Sequence, residues 1–185
     1  MDAGVNELLR LVVRRIVVGS LGTGSIERRF GDAAKKIHDQ KNWSATLNEL
    51  ADLNPSKIDF EEQIQKRSYN KNTLTFLRRS ILQKSTTPAA TGTLHFIRPR
   101  QSETWPGFSD GEDNYWAATI GNTILATAER RPKSSGNWDE FKENLLTQAV
   151  ENEWTNELSS LQKWTAQEVC SIGRLLSEAA ANVWY

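Results

Sequence analysis

Apolar residues in the first 83 positions recur every three or four residues, the spacing of one helix face, and short polar caps separate the repeats. The run Leu8 to Val18, LLRLVVRRIVV, follows Asn6 and stops at Gly19-Ser20, which predicts a helix over Glu7 to Val18 capped by the Asn6 side chain. Ser25 is the next candidate cap, and Ile26, Phe30, Ala33 or Ala34, and Ile37 share one face of the segment it opens. Asp59-Phe60-Glu61-Glu62 has the spacing of a capping box, in which the first side chain takes an N–H of the opening turn and the fourth reaches back. Asn72 to Leu82 repeats Leu74, Leu77 and Ile81 and turns Arg78 and Arg79 to another side. Residues 1–84 therefore read as a helical layer.

Helical periodicity ends at STTPAATG, residues 85–92, whose small residues and proline suit a loop. The β-branched and aromatic residues of TLHFIR predict a strand from near Thr93, and Thr123-Ile124-Leu125-Ala126-Thr127 predicts a second. Between them PRQSETWPGFSDGEDN is rich in Pro, Gly, Ser and acids and reads as loop for much of its length. A helix is expected from about Asn137, where Asn-Trp-Asp-Glu supplies a cap and a glutamate in the first turn. Residues 92–150 thus run strand, long loop, strand, helix. In the closing segment 151–185, Thr165-Ala166-Gln167-Glu168 opens a helix whose apolar side is Val169, Ile172, Leu176, Ala179 and Val183, expected to pack back on the helical layer. The fold class is α+β, mostly helical, with a helical layer around a small ββα unit.

A length of 185 residues supports a single domain over 1–185 with its own core. Lys plus Arg equals Asp plus Glu at 23 each, so any attraction to nucleic acid must come from local clusters rather than net charge. The single cysteine, Cys170, excludes an intramolecular disulfide framework and a Cys-rich zinc site, and it fits a cytoplasmic location. The Leu8–Val18 run is interrupted by Arg10, Arg14 and Arg15 and is shorter than the roughly 20 residues of a spanning helix. Asp2 and Glu7 stand where a signal peptide would be positive, so no membrane association is expected. Seven tryptophans read first as core anchors.

The glycine cluster Gly19-Ser20-Leu21-Gly22-Thr23-Gly24-Ser25 could cradle phosphate only with a preceding strand, and a Walker loop would also need a lysine after its last glycine. It follows a predicted helix and reads as a helix–helix connection. The basic clusters Arg14-Arg15, Arg28-Arg29, Arg78-Arg79, Arg98 with Arg100, and Arg130-Arg131 with Lys133 read individually as solvated faces or loops. The last two differ in bracketing the strand-loop-strand-helix unit. His95 on the first strand, Asn122 before the second and Asn137 at the next helix each have a plain local explanation, yet together they form a constellation.

These residues, in LHFIRPRQSETWPGFSDGEDNYWAATIGNTILATAERRPKSSGNWDEFKENL, resemble the HNH nuclease region of the GmrSD-type restriction endonucleases, a phage-defence family that includes phosphorothioate-linked nicking enzymes. That pattern runs from a His-Ile-x-Pro segment through a Trp-rich loop to Ile-Gly-Asn, then a Ser-Asn step before a helix. Ile120-Gly121-Asn122 is its most specific part here, and the likeness extends over nearly the whole chain. The resemblance implies a ββα-metal, HNH-like unit acting as a DNA endonuclease or nickase, and a nucleotide-hydrolysing sensor domain, not included in this sequence, as a partner in cis or in trans.

Hydrolysis of a phosphodiester needs a base for water and positive charge at the phosphoryl and leaving oxygens. On the resemblance, His95 is the general base and Asn122 orients the imidazole or its loop. Asn137, with His95, holds a divalent metal, Mg²⁺, Mn²⁺ or Zn²⁺. Arg98, Arg100, Arg130, Arg131 and Lys133 are the expected phosphate contacts. The departure from the pattern lies at Leu94 to Pro99, where three residues rather than two separate His95 from the proline. Anchored on Pro99, the match puts Phe96 in the base position and predicts a catalytically degenerate DNA-binding or regulatory module. Anchored on the His-aromatic-aliphatic step, it keeps His95 as base, with one residue absorbed by a bulge at the strand end. The second is favoured because the other histidine, His38, lies on a predicted helix.

Overall fold

In the computed structural model the described residues are 3–20, 22, 24–40, 42–99, 107–108, 115–131, 138–150 and 153–185. Helix α1 (Ala3–Val18) begins before Asn6, so Asn6 is not its cap. The Asn6 Oδ1 instead accepts a hydrogen bond from the Thr86 hydroxyl at 2.8 Å, tying the helix to the loop before the first strand. The helix stops at Gly19, whose φ of 79° is the left-handed conformation glycine takes without cost. Helix α2 (Gly24–Gln40) starts one residue before Ser25, and the glycine cluster is the helix–helix connection its context predicts. Helix α3 (Trp43–Glu49) and a 3-10 turn (Ala51–Leu53) follow.

Helix α4 (Lys57–Lys66) corrects the reading of Asp59 as a cap. Ser56 holds that position, accepting from the Asp59 N–H at 3.0 Å, and its hydroxyl donates to the Asp59 carboxylate. The cap lies three residues toward the N-terminus, and its return bond comes from the Ser56 hydroxyl. Helix α5 (Lys71–Gln83) is capped by Asn70 and ends at Lys84, which adopts a left-handed φ of 47°. The strands match the expectation closely: β1 (Thr93–Phe96) pairs antiparallel with β2 (Thr123–Ala126), placing His95 opposite Ile124 and Phe96 opposite Thr123.

Helix α6 (Trp138–Gln148) follows β2, and its end returns to the free edge of that strand. Thr127 N–H donates to Gln148 O and Val150 N–H to Leu125 O, so β2 is paired on both sides. Full pairing and burial of all four β2 residues explain an apolar run without polar alternation. Helix α7 (Glu153–Ser160) leads to α8 (Ala166–Trp184), where Thr165 and Glu168 form the predicted capping box. The described residues are mostly helical, with one small two-stranded sheet among them.

Helix α8 is the central element. It packs on α4, α5 and the 3-10 turn Ile120–Asn122, burying Val169, Ile172, Leu176, Ala180, Val183 and Trp184. Trp154, Trp164 and Trp184 are buried and Trp43, Trp116 and Trp138 half-buried, while Trp105 lies outside the described residues. A smaller cluster of Leu11, Ala33 and Leu50 joins α1, α2 and the end of α3. No helix among the described residues is long and apolar enough to cross a membrane.

Arg14, Arg15 and Arg78 depart from the expectation of solvated faces, while Arg28 is exposed as expected. Arg14 is buried, donates to Trp184 O and to Asn54 Oδ1, and lies 4.2 Å from the Tyr185 ring centroid. Arg15 donates to Leu53 O at 2.8 Å, and Arg79 to Thr91 O and Gly92 O just before β1. Arg29 makes a two-pronged pair with Asp52, and the adjoining guanidinium holds that carboxyl below the usual carboxylate range. Helical spacing gives a residue's angle about its own axis, but a long stem with a planar fork reaches carbonyls at the ends of neighbouring elements. Arg14, Arg15, Arg29 and Arg79 act as cross-braces between elements.

Candidate active site around His95

His95 belongs to the middle of β1, and it is 7 % exposed, so solvent reaches only an edge of the ring. Its Nε2 is 2.8 Å from Ala128 O, in the turn that leaves β2. A carbonyl oxygen can only accept, so Nε2 carries the proton and a neutral ring keeps its lone pair on Nδ1. The strand pairing fixes the backbone, and the carbonyl fixes the tautomer. This is the arrangement a general base requires: one nitrogen anchored, the other able to take a proton. Nothing in the local sequence announces the Ala128 carbonyl, because any residue at that position would supply it.

The chain leaves the ladder after Phe96. Ile97 N–H donates to Asn122 O at 2.9 Å, and Arg98 N–H donates to the Asn122 side-chain Oδ1 at 2.9 Å, so β1 ends at Phe96 and the segment leading to Pro99 is held by Asn122. Asn122 is fully buried. Its Nδ2 donates to Arg98 O at 2.7 Å and Ala117 O at 2.8 Å, and its Oδ1 also accepts from Trp164 Nε1 at 3.0 Å. Two donors and two acceptor directions are the whole capacity of an amide. Asn122 therefore holds the segment after His95 and does not bond the imidazole.

Of the expected phosphate contacts, Arg98 is 2 % exposed and its guanidinium sits 4.4 Å from the Phe108 ring centroid. Arg131 is half-buried. Its Nε donates to Phe96 O at 2.8 Å and to Ile97 O, its Nη2 also reaches Ile97 O, and its guanidinium lies 4.8 Å from the Phe141 centroid. Burial pushes the Arg131 pKa down from the ordinary arginine value. Arg131 is fixed inward because β1 ends with carbonyls that no strand pairs, and buried carbonyls need donors, whereas Arg98 lies against the Phe108 ring. Arg130 is exposed. Arg100, Lys133 and Asn137 lie outside the described residues.

Arg131→Ala removes the donors to Phe96 O and Ile97 O and should cost about 2 kcal/mol in urea unfolding, whereas Arg131→Lys should recover less than half, a point charge being unable to bridge two carbonyls as the fork does. Residues that sequence reasoning passed over include Trp164, which donates to Asn122 and stacks on Trp138 at 5.6 Å, and Phe108 beneath Arg98. The Trp164-Thr165 pairing of an indole with a helix cap was the available signal for the first.

Among the described residues no three His, Cys, Asp or Glu side chains gather as a cation site. The described donors do not by themselves fit a metal, since His95 offers one nitrogen and the Asn122 amide is fully engaged. No family model, curated protein or solved structure matches the chain.

Proposed function

We propose that the chain is a DNA phosphodiester hydrolase of the HNH type, an endonuclease or nickase serving phage defence, with His95 as general base. The observation that carries the reading is the Ala128 carbonyl at 2.8 Å from His95 Nε2, on a hairpin followed by a helix. Nδ1 takes the proton of an attacking water, and Nε2–H, held on the carbonyl, stabilises the imidazolium that forms. Arg130, with Arg100 and Lys133, meets the phosphate backbone. Asn122, Arg98 and Arg131 keep β1 and its exit in register. A divalent metal, Mg²⁺, Mn²⁺ or Zn²⁺, would be held by Asn137, outside the described residues, and not by His95, whose two nitrogens are taken by the carbonyl and by the proton transfer. It would supply charge at the phosphoryl oxygens.

The inward placement of Arg98 and Arg131 and the saturated Asn122 amide favour a second reading, a DNA-binding or regulatory module that keeps the fold without the chemistry. Supercoiled plasmid incubated with the chain and Mg²⁺ or Mn²⁺ separates the two. Nicked or linear product that EDTA abolishes supports the first reading, while a gel shift at low salt with plasmid left intact supports the second. A sensor domain supplied in trans should raise the cleavage rate if it is the partner the reading implies.

A further inference from the structure

A cavity of about 640 Å³ lies between α5, α7 and α8, and none of His95, Arg98, Asn122 or Arg131 lines it. Most of its wall is aliphatic, with Ile81, Leu82, Leu175, Leu176 and Val183 prominent. Arg78, on α5, also lines it and is 1 % exposed. One face of its guanidinium lies 5.1 Å from the Trp154 ring centroid, yet among the described residues Nε and Nη2 have no hydrogen-bond partner. Glu157 lines the same cavity, and no ion pair joins it to Arg78.

A buried guanidinium without a counterion costs several kcal/mol, and contact with one ring offsets only about 2 kcal/mol of that. Burial pulls the Arg78 pKa down to about 9, which still leaves it charged at neutral pH. The two partnerless nitrogens share one edge of the planar group, the edge that takes both oxygens of a carboxylate. Arg15, Arg29, Arg67, Arg79 and Arg131 have found carbonyls or a carboxylate; Arg78 faces a cavity of the size of a small-molecule site.

We propose that this cavity binds a small aliphatic monocarboxylate, its carboxylate gripped by Arg78 and its hydrocarbon body laid against Ile81, Leu82, Leu175 and Val183. The aliphatic wall favours a hydrocarbon body over a nucleoside. Lys84 and Asn182 also line the cavity and add polar groups that can help hold the charged end.

Calorimetric titration with octanoate and with neutral octanol tests the site on the whole chain, each variant first checked for folding by circular dichroism. Octanoate should bind at least about tenfold tighter than octanol, and Arg78→Met should reduce that preference to less than about twofold. Ala179→Phe, which fills the cavity and leaves Arg78 in place, should abolish binding of both and keeps the test available if Arg78→Met does not fold. Equal affinity for acid and alcohol, no octanoate binding at millimolar concentration, an unchanged preference in Arg78→Met, or tighter binding of adenosine monophosphate than of octanoate would each overturn the proposal.

Discussion

Asn122→Ala should destabilise the protein by about 4 kcal/mol, because four buried groups lose their partner at once and each costs about 1–3 kcal/mol when left unsatisfied, less than additively. The groups are Arg98 N–H, Arg98 O, Ala117 O and Trp164 Nε1, from the exit of β1, the turn before β2 and the approach to α8. Urea unfolding followed by tryptophan fluorescence measures the loss directly, since Trp164 sits on the amide. Asn122→Asp should be nearly as damaging, as it keeps the acceptors but removes both donors and buries a charge. A stability within about 1 kcal/mol of the parent in Asn122→Ala would show that the amide is not the strut described here.

Gly121→Ala is expected to be comparably severe, at about 3 kcal/mol or more. A Cβ at Gly121 would lie 2.1 Å from Val169 O and 2.8 Å from Gly173 N, and both are backbone atoms of α8 that cannot rotate away. The partner glycine provides the control. A Cβ at Gly173 meets its nearest atom, Gln65 Cγ, at 3.5 Å, an ordinary contact, so Gly173→Ala should be neutral or stabilising by up to about 1 kcal/mol through helix propensity. Equal effects at the two positions, measured by thermal unfolding, would contradict the one-sided approach of turn and helix.

These two residues explain what was legible in the sequence and what was not. Ile120-Gly121-Asn122 stood out as the most specific block, and the structure gives each member a packing duty: Ile120 in the core, Gly121 against α8, Asn122 bridging three segments. A motif can be specific because a fold demands it, whether or not chemistry uses it. Strand positions, the closing capping box and the small-residue loop could be read because each depends on neighbours in sequence. Caps at Asn6 and Asp59 were misplaced by a few residues, since several polar side chains there could cap and tertiary bonds, such as Asn6 to Thr86, decided which did. The inward turn of Arg14, Arg78, Arg98 and Arg131 was invisible, for it depends on carbonyls and rings contributed by distant elements.

The inward placement of Arg98 and Arg131 takes away two of the proposed phosphate contacts and leaves exposed Arg130 as the one among the described residues. On the proposed nuclease reading, so few contacts predict weak DNA binding with a shallow dependence on salt. His95 then carries the weight of the catalytic reading, since it is the described side chain best disposed to move a proton. The most direct measurement is single-turnover cleavage of supercoiled plasmid by the parent chain and by His95→Ala, with both shown by circular dichroism and urea titration to be equally folded. The account predicts a loss of about a hundredfold or more in rate, the usual share of a general base. Cleavage by His95→Ala at the parent rate would contradict it.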